Sequence, residues 1–249
     1  MKCGIDLGSR NVKLAVLDKN EIIDLRKYDT IEFYRKYGKK ESGELVIDFD
    51  KFGINDLDSV ISTGYGRNTI KIKGAEQIPE LKAHMLGGLY QTDYETFTLL
   101  DLGGQDSKVI RIKNGQMADF QTNDKCAASS GRYLENMAEV LNIDLSELSK
   151  YYKEPVDINA TCAIFGESEL IGKILEGYSV PELAAGINYS IFKRVKPLLL
   201  KLKSKQLVFT GGVAYNQAIS KIIENELGVQ VIIPGKPQFN GAIGAALHI

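Results

Sequence analysis

Alternating apolar and polar residues open the chain, and residues 1–16 are typical of β-strands. The pattern returns 95 residues later, where residues 100–109 repeat residues 5–14 with Asp, Leu, Gly and Lys in the same places. Each copy predicts an apolar strand ending in Asp, a glycine turn and a second strand, and a further turn follows at Lys19-Asn20 or Asn114-Gly115. The repeat predicts a duplicated hairpin that opens each of two related lobes.

Beyond the second hairpin the apolar spacing changes to three and four residues, which predicts helices over residues 127–141, 163–177 and 181–203. The remaining pattern predicts a strand, a helix, a strand and a small-residue helix over residues 206–210, 213–227, 229–233 and 241–247. Strands that alternate with helices indicate an α/β fold.

The boundary between the two lobes is expected near residues 91–95, and the last helix is expected to return to the first lobe. The predicted first lobe is therefore residues 1–93 with residues 236–249. Residues 94–235 form the predicted second lobe.

Charge gives no reason to expect a nucleic-acid or membrane partner. Lys and Arg number 31 against 32 for Asp and Glu, so the chain has no overall positive field to attract nucleic acid or anionic lipid. No basic segment followed by a long apolar run opens the sequence, and no apolar stretch approaches the roughly 18 residues of a membrane span. We therefore expect a cytoplasmic protein that binds neither nucleic acid nor membrane.

The repeated strand ends carry the first candidate chemistry. Asp6 and Asp101 each precede a glycine turn, where a carboxylate beside exposed backbone N–H groups suits a hydrated divalent cation next to phosphate. A single Asp-x-Gly turn is more often an ordinary turn, because Asp and Gly are common turn residues. The duplication favours the phosphate-binding interpretation.

Three further glycine-containing segments follow strands or form helices: residues 64–67, 208–214 and 241–246. A strand that leads through Gly-Gly into a helix lets the backbone approach a flat ligand such as adenosine, and a Gly/Ala-rich helix permits close packing at a hinge. Taken singly, each is more often a tight packing site. A P-loop is disfavoured, since residues 166–174 have the wrong spacing and Ile174 stands where Ser or Thr is required.

Together these segments resemble the actin, heat-shock-70 and sugar-kinase superfamily of ATPases over nearly the whole chain. The resemblance implies an actin-like, RNase H-like α/β fold of two lobes with a nucleotide cleft between them. It also implies that Asp6 and Asp101 organise Mg²⁺ through water. The residues assigned to ATP or ADP are Gly8, Ser9, Asn11, Lys13, Gly103, Gly104, Gly211, Gly212 and Gln238.

Gln105, directly after the second turn, is the candidate for orienting the attacking water, a role that Gln has in small GTPases. The alternative is a turn side chain that caps its own backbone. Arg10 stands where this superfamily often has a small hydroxyl residue, which leaves the phosphate contacts of the first turn open.

The three cysteines cannot all pair within one chain, and no disulfide framework is expected. Cys3 lies inside the first strand and is interpreted as a core residue. Cys126 and Cys162 each come immediately before a helical pattern, where the helix macrodipole stabilises a thiolate. The alternative for each is a lone buried cysteine. Two thiolates make half of a Cys₄ iron–sulfur or zinc site, and two chains would complete it.

Three motifs occur in the order Asp-Leu-Gly-Gly-Gln-Asp-Ser-Lys, Cys-Ala-Ala-x-x-Gly-Arg and Cys-x-x-Phe-x-x-Ser-Glu. They resemble the activators of 2-hydroxyacyl-CoA dehydratases and benzoyl-CoA reductase systems, the BadF/BadG/BcrA/BcrD ATPase family. Ser129-Ser130 replaces the Gly-Thr of that pattern, a local change in the loop.

The resemblance implies one [4Fe–4S] cluster bridging a homodimer, with Cys126 and Cys162 as ligands from each chain. It implies an ATP-driven electron-transfer protein whose acceptor is an iron–sulfur enzyme, such as a dehydratase or a related double-cluster reductase. Ferredoxin or flavodoxin is the implied electron donor.

Two other functions remain open from the residues alone. A small-molecule kinase of the same fold needs a substrate pocket but no paired cysteines. A switch ATPase without redox chemistry leaves Cys126 and Cys162 unexplained. Zinc in the same four thiolates is a further alternative, and the acceptor enzyme is not identified by the sequence.

Overall fold

The computed structural model describes residues 1–41, 44–47, 49–54, 56–64, 70–72, 74–123, 131–160 and 163–248. Contacts divide the chain into two compact units, Met1–Tyr94 with Gln238–Ile249 and Glu95–Pro237. Compactness alone does not make a unit an independently folding domain, so the predicted lobes, 1–93 with 236–249 and 94–235, stay a prediction.

The elements of the first unit before the chain leaves it are β1 Lys2–Leu7, β2 Asn11–Asp18, β3 Glu21–Asp29, α1 Thr30–Tyr37, β4 Gly38–Glu41, β5 Glu44–Ile47, β6 Ser59–Thr63, β7 Ile70–Ile72, β8 Ala75–Gln77 and α2 Glu80–Gln91. Those of the second unit are β9 Phe97–Leu102, β10 Ser107–Lys113, β11 Gln116–Asn123, α3 Gly131–Val140, α4 Leu145–Leu148, α5 Ala163–Leu175, α6 Val180–Lys201, β12 Gln206–Thr210, α7 Gln217–Leu227 and β13 Gln230–Ile232. The chain returns to the first unit with α8 Asn240–Ala246.

The two units contain five-stranded sheets of the same topology. Their strand orders are β3-β2-β1-β6-β8 and β11-β10-β9-β12-β13, and a small sheet β4-β5-β7 adds to the first unit. In each large sheet the first three strands are antiparallel neighbours, and the last two join in parallel. Mixed sheets flanked by helices confirm the predicted α/β class.

The repeat seen in the sequence extends to fine detail of the backbone. Strand β2 has a register shift between Val16 and Leu17, and β10 has one between Arg111 and Ile112, again 95 residues later. The turns that follow have positive φ at both central residues, 46° and 68° at Lys19-Asn20 and 51° and 73° at Asn114-Gly115. Positive φ at both positions is the geometry of a tight hairpin turn, so the predicted hairpins are confirmed.

Each central strand is buried on both faces. In the second unit every residue of β9 is buried, and Leu100 joins the same apolar cluster as Ile187 and Phe192 of α6. In the first unit Ile5 packs in a cluster with Phe33 of α1. This two-sided burial explains the nearly continuous apolar runs in the sequence and holds the ends of β1 and β9 in fixed positions.

Helix α8 packs against β1 and α2 without side chains in the way. A Cβ atom on Gly244 would lie 1.7 Å from the carbonyl oxygen of Ala83, and one on Gly4 would lie 2.0 Å from that of Ala242. The buried Asn240 side chain donates to the carbonyl of His84 at 2.9 Å and accepts from Gln91 at 2.9 Å. The small residues of the last helix are therefore required for contact between backbones.

Most predicted elements are confirmed, and one helix start is wrong. The helix expected over residues 213–227 begins at Gln217, after a short 3₁₀ turn over Gly212–Tyr215. The Asn216 side chain accepts a 3.1 Å hydrogen bond from the N–H of Ile219, which caps the helix at that point. Helix α5 begins at the expected Ala163, and the expected start of the preceding helix, residues 127–130, lies outside the described residues.

Among the helices of the described chain, none combines the length and the apolar character needed to cross a lipid bilayer.

We predict that Gly244→Ala lowers the free energy of unfolding by about 1–3 kcal/mol, because the new methyl group overlaps the Ala83 carbonyl. The matched control is Gly172→Ala in α5, where a Cβ meets nothing within 4 Å and the higher helix propensity of Ala is expected to be neutral or stabilising. Urea unfolding followed by circular dichroism checks both, and equal midpoints for the two variants would contradict the packing argument.

Candidate functional site

The first candidate turn is built around a buried carboxylate. Asp6 is 4% exposed near the end of β1, and its cross-strand partner is Lys13 on β2. The Lys13 ammonium donates to Asp6 Oδ2 at 3.1 Å. A Cβ on Gly8 would lie 3.1 Å from the same Lys13 nitrogen and 2.6 Å from the Asn11 carbonyl oxygen. The absence of a side chain on Gly8 therefore leaves room for the Lys13 ammonium directly beside the turn.

The second candidate turn repeats this arrangement with one difference. Asp101 is 3% exposed near the end of β9, and its cross-strand partner is Lys108 on β10. The Lys108 nitrogen lies 3.9 Å from Asp101 Oδ2 and forms a short ion pair with Asp106 instead. A Cβ on Gly103 would lie 2.5 Å from Asp106 Oδ1. Here a carboxylate, not an ammonium, occupies the space beside the turn.

Two threonines that sequence reasoning did not single out lie next to these aspartates. Thr63 is the Cα partner of Asp6 at the end of β6, and Thr210 is the partner of Asp101 at the end of β12. The Thr210 hydroxyl donates to Asp101 Oδ1 at 2.8 Å, whereas the Thr63 hydroxyl donates to the carbonyl of Ile78 at 3.2 Å. The signal was present in the sequence, because a Thr-Gly pair ends both strands.

The glycines after these threonines are needed for close approach. Gly64 has φ 95° and Gly211 has φ 87°. A Cβ on Gly64 would lie 2.8 Å from the Leu7 carbonyl oxygen, and one on Gly211 would lie 2.2 Å from that of Leu102. Close packing against the Leu102 backbone is therefore sufficient to explain the glycine at position 211. Gly212 follows as an exposed residue, and residues 65–67 of the other segment lie outside the described residues.

The remaining predicted nucleotide residues lie at the surface of their turns. Ser9 is half-buried, and Gln105 is exposed in the turn between β9 and β10. Arg10 is paired with Asp29, the cap of α1, at 2.6 Å. Gln238 accepts from the Lys27 ammonium at the long distance of 3.5 Å. Arg10, the departure from the superfamily pattern, therefore has a structural role at the start of α1.

The second turn is hydrogen-bonded to the start of α3. The N–H of Gly131 donates to the carbonyl of Gly103 at 2.9 Å, and the N–H of Arg132 donates to that of Gly104 at 3.1 Å. These are N–H groups of the first helical turn, which have no partner inside their own helix. Two backbone hydrogen bonds therefore link the second turn directly to α3, the first described element after Cys126.

The chain before Cys162 is held by two side chains. Both carboxylate oxygens of Glu169 accept from the N–H of Asn159, at 2.9 and 3.1 Å, and one also accepts from the N–H of Ala160 at 2.7 Å. Arg194 donates to the carbonyl of Ala160 at 2.8 Å. The Glu of the Cys-x-x-Phe-x-x-Ser-Glu motif thus fixes the backbone that leads to the cysteine.

Cys3 is fully buried, and burial raises the pKa of its thiol to about 12. A thiol that stays protonated is a poor metal ligand, so the core interpretation of Cys3 is confirmed. Cys126 and Cys162, the predicted cluster ligands, lie outside the described residues.

The described residues offer oxygen donors of the kind that a nucleotide-bound Mg²⁺ requires. Asp6 and Asp101 supply carboxylate oxygens, the ligands that Mg²⁺ prefers. Gly64 and Gly241 carry no side chain next to Asp6, where Cβ atoms would lie 2.7 and 3.2 Å from its oxygens. The Asp6 carboxylate and the open space beside it fit a hydrated cation.

Helices α3 and α6 carry groups whose chemistry suits an anionic iron–sulfur cluster. Five buried side-chain polar atoms have no hydrogen-bond partner within the described structure, and three of them lie on α3 and α6: Arg132 Nε, Tyr133 Oη and Arg194 Nη1. The Arg194 guanidinium lies 4.2 Å from the centre of the Tyr133 ring. Arg132 and Tyr133 open α3, and Arg194 contacts the segment before Cys162. Positive and donating groups at the start of α3 and at Ala160 have the chemistry that suits thiolate and sulfide ligands.

Two sheets of one topology, each with a buried Asp–Lys hairpin and a glycine turn, define the actin-like class of ATPase folds. Residues 3–248 match the BadF/BadG/BcrA/BcrD ATPase family, and the chain belongs to that family.

Individual relatives agree with this assignment. The (R)-2-hydroxyglutaryl-CoA dehydratase activating ATPase of Acidaminococcus fermentans is 36% identical over 98% of this chain and 95% of its own length. The activator of lactoyl-CoA dehydratase of Anaerotignum propionicum is 34% identical, over 98% of this chain and 95% of its own length. The solved activator of the 2-hydroxyisocaproyl-CoA dehydratase from Clostridium difficile, with bound ADPNP, is 33% identical with a TM-score of 0.83, covering 99% of this chain and 92% of that one.

Proposed function

We propose that this protein hydrolyses ATP to deliver low-potential electrons to a partner iron–sulfur enzyme, through a [4Fe–4S] cluster shared by two copies of the chain. The observation that carries the proposal is the direct hydrogen bonding of Gly103 and Gly104, in the second turn, to the first N–H groups of α3. This contact joins a predicted phosphate-binding turn to the helix that follows Cys126. A change in the second turn on nucleotide binding would therefore reach the helix that follows the predicted ligand Cys126.

The nucleotide roles follow the two turns. Asp6 and Asp101 hold a hydrated Mg²⁺, and Gly8, Ser9, Asn11, Lys13, Gly103 and Gly104 surround the phosphates. Gly211, Gly212 and Gln238 contact the nucleoside, and Gln105 orients the attacking water. Gln105 and Gly212 are exposed and therefore accessible to a ligand, which supports the roles proposed for them. Bound Mg²⁺ supplies charge neutralisation on the phosphates.

The proposed homodimer is supported by an apolar surface on α5. Phe165 is 70% exposed and Leu175 is 84% exposed, and Ile171 and Ile174 on the same helix are also exposed. Exposed large apolar residues on one helix are typical of a protein interface. The helix starts directly after Cys162, so a pair of such helices would bring the cysteines of two chains to one place, as a shared cluster requires.

The partners follow from the relatives. Activators of three 2-hydroxyacyl-CoA dehydratases share the fold or most of the chain length, which supports an acceptor of that kind. A ferredoxin or flavodoxin is the proposed electron donor, and the cytoplasmic location stays a prediction. When bound, the cluster supplies one-electron transfer. The chain's part is to hold it beside Arg132, Tyr133 and Arg194 and to link it to the nucleotide turns.

We predict Mg²⁺-dependent ATP hydrolysis that is slow in the absence of a partner, because the carboxylate next to Gln105, Asp106, is paired with Lys108 and is a poor general base in that pair. Asp6→Asn and Asp101→Asn are each expected to lower turnover by about a hundredfold or more, since they remove charge at the proposed metal site. Phosphate release measures this. Turnover near that of the wild type in both variants would remove the basis for the nucleotide site.

We predict about four iron atoms per two chains after anaerobic purification or reconstitution, since each chain offers two thiolates and the cluster requires four. Cys126→Ala or Cys162→Ala is expected to abolish bound iron and colour. Cys3→Ala is the matched control and is expected to retain both, because the buried Cys3 thiol stays protonated. Full iron in Cys126→Ala refutes the ligand assignment, and zinc in place of iron refutes the redox function.

We predict that the rate at which a chelator removes cluster iron differs between the ADP-bound protein and the protein bound to a non-hydrolysable ATP analogue. Gly131→Ala is expected to reduce this difference, because its Cβ would lie 3.3 Å from the Gly103 carbonyl oxygen and disturb the contact between turn and helix. Gly235→Ala, which has nothing near its Cβ and lies outside the proposed interface, is the control. Identical chelation rates with either nucleotide and with none would refute the electron-pump mechanism.

A further inference from the structure

The duplicated hairpins differ at one position that decides where a lysine points. The offset of 95 residues that relates Asp6 to Asp101 and Lys13 to Lys108 also relates Asn11 to Asp106. The backbone supports the alignment, because both Asp–Lys pairs are direct cross-strand partners. An amide in the first hairpin therefore corresponds to a carboxylate in the second.

In the first hairpin the lysine has the strand-end aspartate as its carboxylate partner. Lys13 lies 3.1 Å from Asp6 Oδ2, and its nitrogen is also 3.1 Å from the position of a Cβ on Gly8. Asn11 carries no charge to attract it. The ammonium thus neutralises Asp6 and stands beside the turn glycine.

In the second hairpin the extra carboxylate draws the lysine away. Lys108 is paired closely with Asp106, and its nitrogen lies 3.9 Å from Asp101 Oδ2. Asp101 Oδ1 accepts the Thr210 hydroxyl at 2.8 Å, a neutral donor. The side chain beside the turn glycine is Asp106, 2.5 Å from the position of a Cβ on Gly103.

The difference in distance is large enough to affect ligand binding. With an effective dielectric constant of about 20, moving a lysine from 3.9 to 3.1 Å of a carboxylate strengthens the pair by a factor of about six in an equilibrium constant. A carboxylate that is paired more tightly with lysine is a weaker partner for a metal ion. By this measure Asp101, whose lysine is held farther away, is the stronger metal ligand of the two aspartates.

We propose that Asp106 is a positioning residue that holds Lys108 away from Asp101, so that Asp101 stays available to the hydrated Mg²⁺ proposed above. The proposal rests on the function proposed above, since it explains how the second turn keeps a carboxylate available to the metal of the nucleotide. Ammonium groups bind phosphate oxygens directly, and carboxylates bind the metal or its water ligands.

The two residues can be exchanged one at a time to test this. Asp106→Asn gives the second hairpin the chemistry of the first and is expected to raise the half-saturating Mg²⁺ concentration for ADP binding about sixfold, without weakening ADP binding in EDTA. Asn11→Asp gives the first hairpin the chemistry of the second and is expected to weaken ADP binding in EDTA, without raising the Mg²⁺ requirement. Calorimetry with ADP, and electron paramagnetic resonance with Mn²⁺ and ADP, provide the readouts.

A double variant tests whether Asp106 acts through Lys108. Asp106→Asn with Lys108→Met is expected to restore the wild-type Mg²⁺ requirement, because no ammonium remains to occupy Asp101. If the double variant requires as much Mg²⁺ for ADP binding as Asp106→Asn does, Asp106 contacts the hydrated metal itself. That result would overturn the positioning role. Glu95→Gln, an exposed carboxylate at the start of the same unit, controls for the loss of one negative charge.

The outcomes separate this inference from the function on which it rests. Wild-type protein that binds ADP with no dependence on Mg²⁺ overturns both. Wild-type binding that depends on Mg²⁺, with Asp106→Asn unchanged, overturns only the positioning role. Circular dichroism and urea midpoints confirm that each variant is folded, and reduced stability with an unchanged Mg²⁺ requirement also counts against the proposal.

Discussion

A carboxylate buried near the end of a central strand is the constraint on which both candidate turns depend. An ionised group with no partner is too costly to bury, so the fold must surround Asp6 and Asp101 with donors. The second strand of each hairpin supplies a lysine at the cross-strand position, and the neighbouring parallel strand of the second unit supplies the Thr210 hydroxyl. Gly64 and Gly241 then keep side chains out of the space next to the Asp6 oxygens.

The duplication could be predicted from the sequence because its signals are local. A strand that ends in Asp-Leu-Gly, with lysine seven residues after the aspartate, is readable without knowledge of distant contacts, and both hairpins are confirmed. The start of α7 was predicted too early because the apolar spacing continues back through Val213, although Asn216 is a strong capping residue. The capping residue Asn216 is the better signal for the start of this helix, although the apolar spacing extends further back.

The contacts that long-range folding creates could not be predicted in the same way. Thr210 reaches Asp101 across 109 residues of chain, and Arg194 reaches Ala160 across 34. Glu169 could be recognised as part of a motif, but only the structure shows that its carboxylate binds the backbone of Asn159 and Ala160. The pairing of Lys108 also depends on side-chain geometry, since the sequence offers it both Asp101 and Asp106.

The chain after Cys126 is held by backbone hydrogen bonds, whereas the chain before Cys162 is held by side chains. This difference determines which of the two segments responds to a change in the second turn. Backbone hydrogen bonds tie the start of α3, beyond Cys126, to Gly103 and Gly104, so any shift of that turn moves the helix with it. Side chains from α5 and α6, Glu169 and Arg194, tie the segment before Cys162 to its own helical layer. If both cysteines bind one cluster, the turn acts on one side of it while the helical layer holds the other. A relative displacement of the two ligands, not a movement of the whole cluster, is then the expected effect of nucleotide on this protein.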